Sequence, residues 1–180
     1  MQSLRHNHLG RIAEAEESAR LFVAAREAVP LERMLFNNPC ADVLKVAEAM
    51  MQGELHYKSG RIGEGLAWLR RAVELDDNLL YDEPWGWMQP TRHALGALLV
   101  DAGHYAEAEA VYRADLGLDA TLPRPCQHPR NVWSLHGLLE CLDRRGEAVE
   151  VFHVRQQLHQ ALARTEVPIV ASCACRSAGQ

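Results

Sequence analysis

The sequence has little lysine, few aromatics and no long apolar run, and each shortage removes a class of function. Lysine and arginine together number 19 against 24 aspartates and glutamates, giving a formal net charge of −5 and a pI near 6.0. Acids are scattered among the arginines, so no basic face is offered to a phosphate backbone, and nucleic acid is not expected as a partner. Lys45 and Lys58 are the lysines; cationic contacts therefore fall to arginine, whose planar fork favours acidic or planar ligands. No stretch approaches the roughly 20 apolar residues that cross a bilayer. The opening MQSLRHNHLGRIAEAEE carries charges where a secretory leader needs an apolar region. No membrane partner and a cytoplasmic address are expected. Five cysteines, an odd number without an export signal, exclude a complete disulfide framework, and Cys40, Cys126, Cys141, Cys173 and Cys175 are expected as reduced thiols.

What is present is a spacing. Gly53 and Gly60, then Gly96 and Gly103, stand 7 residues apart, and Gly60, Gly103 and Gly146 follow one another at intervals of 43. The first glycine of each pair suits a helix interior where another helix comes close, and the second suits a left-handed cap. Residues 11–29 carry Ile12, Ala15, Ala19, Phe22 and Val23 at helical spacing and end at Pro30. Asn37, Asn38 and Pro39 start a second helix with Val43, Val46, Met50 and Leu55 near one side, followed by a partner from Ile62 to Leu75. Further pairs fall at 91–102 with 105–117 and at 131–144 with 147–163, separated by the inserts NLLYDEPWGWMQP and DATLPRPCQHPR. No window alternates apolar and polar residues, so no strand is expected.

By GELHYKSGRIGEGLAWLRRAVELD and LGALLVDAGHYAEAEAVYRADL the chain resembles the tetratricopeptide repeat (TPR) family, a paired-helix repeat of 34 residues whose excess here falls in the connections. Through YDEPWGWMQPTRHALGALL, NVWSLHGL and the terminal ASCAC it is similar to the C-terminal part of larger bacterial proteins of that family. Asp77 and Ala120 stand where the family has a proline, and Gly65 where one unit has its alanine. The resemblance implies an all-α fold of antiparallel hairpins stacked as a right-handed superhelix. A partial first hairpin at 1–30 precedes hairpins at about 39–76, 90–118 and 129–163; together these make a repeat domain over 1–163, ahead of a CxC tail at 164–180. It further implies a concave groove lined by the first helices, with Met50, Glu54 and Tyr57, then His93 and Ala97, then Asn131 and Ser134 facing it. Glu54 and His93 would be near neighbours, a pair that serves acid–base chemistry or holds a ligand amide.

Two local features add chemistry. The insert from Tyr81 to Pro90 holds Trp85 and Trp87 among acids and prolines. It reads either as a recognition loop or as a plug between hairpins, and in an extended segment both indoles face one way. Cys126 with His128 and Cys173 with Cys175 can each turn two soft groups to one side, a set suited to zinc or copper(I), or to thiol redox at the CxC pair; inert thiols are the plainer reading. Asp76-Asp77 and Asp82-Glu83 read as solvated acidic turns, and His6, His8, His104, His153 and His159 as surface histidines. The expected function is a non-catalytic scaffold, without a required cofactor, holding a peptide or partner protein through Glu54, Tyr57, Trp85, Trp87, Arg92, His93 and Asn131. The alternative is a metal-binding or thiol-redox protein using Cys126, His128, Cys173 and Cys175. Leu21, Phe22 and Val23, thinly covered at the N-terminal end, point to a homodimer.

Overall fold

The computed structural model describes residues 11–176. His6, His8 and the start of the partial first hairpin lie outside them. The described chain is built mainly of helix: α1 (Ile12–Glu27), α2 (Cys40–Lys58), α3 (Ile62–Asp77), α4 (Thr91–Asp101), α5 (Tyr105–Leu116), α6 (Val132–Arg145) and α7 (Ala148–Leu162). It divides into two compact units, Met1–Thr91 and Arg92–Gln180. Among the described residues no helix is long and apolar enough to cross a membrane.

In the first unit, small residues let helices approach. Ala15 and Ala19 of α1 are buried against Met51 and Leu55 of α2, with Ile12 and Phe22 packed on the cluster. Between α2 and α3 the backbones themselves meet: a Cβ on Gly65 would lie 2.7 Å from the Tyr57 amide nitrogen and 2.8 Å from the Gly53 carbonyl oxygen. Leu69 covers Gly53, where a Cβ would fall 2.6 Å from the leucine Cγ. Val43, Val46, Met50 and Leu55 are all buried, as their spacing predicts. One expectation fails. Met34–Leu35 (β1) pairs antiparallel with Asn38–Pro39 (β2), with Phe36 at a positive φ of 51° in the turn. Strands of two residues are too short to show any alternation, which is why the sequence hides them.

In the second unit the ring of Tyr112, on α5, is fully buried between two glycines. A Cβ on Gly96 of α4 would come within 2.5 Å of its Cζ, and one on Gly137 of α6 closer still. A buried phenol needs a hydrogen-bond partner, and Ser172 of the C-terminal tail supplies it, Oγ to Oη 2.6 Å. Arg176 then grips Glu140 of α6 with two parallel bonds, Nη1 to Oε2 at 2.6 Å and Nη2 to Oε1 at 3.1 Å. Gly60, Gly103 and Gly146 have φ of 83°, 81° and 77°, so the 43-residue interval does mark left-handed turns after first helices.

Candidate functional site

Three places carry chemistry, and each is built from an insert or the tail docked on helices. In the first unit, the insert between α3 and α4 is pinned at its base. Asn38, buried just before α2, donates Nδ2 to the Leu80 carbonyl at 2.8 Å and to Asp82 Oδ2 at 2.7 Å, and its Oδ1 accepts from the Leu80 amide at 2.7 Å. The Asn37 amide donates to Asp82 Oδ1 at 3.2 Å, and its side chain to the Tyr81 carbonyl at 3.0 Å. Thr91 Oγ1 donates to Asp76 Oδ2 at 2.9 Å, closing the insert on the last turn of α3. Asp82 is thus a buried anchor rather than a solvated turn: an acid in an insert finds water unless backbone and amide donors replace it, and here they do.

Beyond that base the apolar side chains point out. Leu80 and Met88 are 61% and 64% exposed, Tyr81 49% and Trp85 42%. Trp87 instead is half-buried and donates its indole N–H to the Met50 sulfur at 3.0 Å. The two indoles therefore do not share a side. The segment bends at residues 83–84, where the Glu83–Pro84 peptide is cis, and again at 86–87, so the extended-chain rule does not apply. Of the other residues expected to meet a ligand in this unit, Glu54 and Tyr57 are buried on α2. Burial pushes the Glu54 carboxyl up to about 7, with Lys58 pulling the other way.

In the second unit a single carboxylate gathers four donors. Asp115 sits on the buried face of α5. Its Oδ1 accepts from His128 Nδ1 at 2.8 Å; its Oδ2 accepts from His93 Nε2 at 3.1 Å, Asn131 Nδ2 at 2.8 Å and Ser134 Oγ at 2.5 Å. Its backbone carbonyl takes the His128 amide at 2.7 Å. Asn131 also caps α6, accepting the Ser134 amide at 2.8 Å. Burial alone would raise this carboxyl, but the bonds from His128, His93 and Ser134 outweigh it and hold it well below the ordinary range. A carboxylate that only accepts fixes the hydrogen on His93 Nε2 and on His128 Nδ1. The Ser134 hydroxyl is spent on the carboxylate, so no serine–imidazole relay is assembled here. The cluster's work is to bind α4, α5, the second insert and α6 at one point.

His93, His128 and Asn131 are therefore brought together, by an aspartate that was not among the expected residues. The signal was there: Asp115 falls in helical phase with Ala108 and Tyr112, on the face that must be buried. Arg92 is buried beside His93 in sequence. Cys126, half-buried, ends the short 3-10 turn Arg124–Cys126. Cys173 and Cys175 are buried in the tail and bonded to each other as a disulfide, not held as free thiols. The reason is local: two cysteines two residues apart at a turn bring their sulfurs together, with the Cys175 amide donating to Cys173 Sγ at 3.1 Å. Among the described residues no group of three or more His, Cys, Asp and Glu is arranged to hold a metal ion. His104, His153 and His159 are exposed. No protein-family model matches the chain, and no curated protein matches it.

Proposed function

We propose that this chain is a TPR-like scaffold of stacked helical hairpins, acting in the cytoplasm, that binds a peptide or partner protein without catalysing a reaction. The observation that carries this reading is the first insert: a base locked by Asn38, Asp82 and Thr91, with Leu80, Tyr81, Trp85 and Met88 left outside. A rigid base presenting aromatic and apolar groups gives contact area at low entropic cost, the property that makes aromatic residues binding hot spots. The repeated glycine positions support the hairpin stack, since they recur at the sites where helices touch or turn. Glu54, Tyr57, Arg92, His93 and Asn131 are buried or half-buried, so their part is to hold the frame, and contact with a partner falls to the insert. The test is a photo-reactive phenylalanine analogue placed at Trp85 and, as a control, at the exposed Trp68 on α3. A discrete partner should crosslink from position 85 in cells and be lost with Leu80→Ser and Met88→Ser; equal patterns from both positions would defeat the proposal.

The Cys173–Cys175 bond favours a second reading, thiol redox at the tail. Thiol titration of unfolded protein separates the cases: three reactive thiols before reduction and five after it support the pair as a redox couple. Five thiols in freshly purified, air-exposed protein would remove this reading.

A further inference from the structure

Between the C-terminal end of α1, the β1–β2 hairpin and the start of α2 lies a cavity of about 360 Å³. Its lining is mostly apolar, with Val29, Pro30, Val43 and Leu44 among the residues, and Arg33 and Cys40 are the two lining residues whose side chains carry a polar group. The volume falls in the range of small-molecule sites, which combine apolar walls with a few polar groups that fix orientation. Arg33 makes no ion pair or side-chain hydrogen bond among the described residues, whereas Arg26, Lys45, Arg113 and Arg176 each have a carboxylate partner. A lining arginine without an ion-pair partner beside aliphatic walls suits an aliphatic chain ending in a carboxylate, which Arg takes with two parallel bonds. We infer that this cavity binds a free aliphatic monocarboxylate, its chain among Val29, Val43 and Leu44 and its head group on Arg33, independently of any protein partner at the insert. Cys40, a free thiol lining the same space, reports on occupancy because a bound chain shields it.

The experiment uses decanoate, decanol and the full chain at pH 7.5. Calorimetry should give saturable one-to-one binding of decanoate, with decanol at least about fivefold weaker because it cannot pair with the guanidinium. Decanoate should slow maleimide labelling of Cys40 while leaving Cys126 unchanged. Arg33→Met, at an exposed position where folding is not at stake, should bring decanoate down to the level of decanol. Ala28→Trp, which puts an indole into the cavity from the exposed end of α1, should abolish both. The inference is overturned if decanoate and decanol bind alike, if Arg33→Met leaves decanoate binding unchanged, or if saturable binding does not protect Cys40. Loss of the partner crosslink at Trp85 leaves these results unaffected, so the two proposals fail separately.

Discussion

Glu54 in the first unit and Asp115 in the second are buried to nearly the same degree, 2% and 1% exposed, yet their carboxyls are shifted in opposite directions. Glu54 is lifted to about 7 by loss of water, against a partial pull from Lys58. Asp115 suffers the same loss, and the hydrogen bonds from His128, His93 and Ser134 more than replace the water. Depth alone therefore does not set the charge; for Asp115 the hydrogen bonds it accepts decide it. One unit tolerates its acid, and the other is organised around one.

Removing the carboxylate that organises the second unit should have the largest effect. Asp115→Ala leaves the donors of His93, His128, Asn131 and Ser134 without their acceptor, and a loss of about 4 kcal/mol is expected in urea unfolding at pH 7. Because the folded carboxyl titrates below its unfolded value, its contribution is complete above the ordinary carboxylate range and is lost progressively as pH falls from that range down through the lower folded value. The gap between wild type and variant should thus narrow below about pH 4, and a gap constant down to pH 3 would contradict the assignment.

Glu54 should behave in the opposite sense. Its folded value lies above the unfolded one, so between 4.5 and about 7 the folded state holds the extra proton and stability falls as pH rises. Glu54→Gln should be more stable than wild type by up to roughly 3 kcal/mol at pH 8 and equal to it near pH 4.5, read from urea midpoints across pH. A variant whose advantage does not grow with pH would mean that Glu54 is ionised at little cost.

The glycines sharpen the comparison on a smaller scale. Gly137→Ala presses on Tyr112, which is held between two helices and tied to Ser172, and a net loss of about 2 kcal/mol is expected. Gly53→Ala presses on the branched end of Leu69, which can turn aside, and the gain in helix propensity offsets part of the strain; no more than about 1 kcal/mol is expected. Equal effects in thermal or urea unfolding would show that the ring is not confined.

The helices were legible almost to the residue, because their apolar spacing is local and their ends carry proline or glycine. The turns at Gly60, Gly103 and Gly146 were legible for the same reason: one residue type solves one backbone problem. The polar anchors were not. Asn38 finds Asp82 across 44 residues and His93 finds Asp115 across 22, and no periodicity links an insert to the helix it docks on. Trp85 and Trp87 were misjudged by a rule for extended chain applied to a segment that bends at 86–87, between them. The CxC pair was visible as a pair, while its bonding to itself depends on the fold of the tail.

The hydroxyl of Tyr112 finds its partner in Ser172, which lies beyond the last helix of the described residues. A protease that cuts ahead of Ser172 therefore does its damage at the centre of the second unit, leaving a dry phenol with nothing to bond. A truncation that removes Ser172 is a change to the interior.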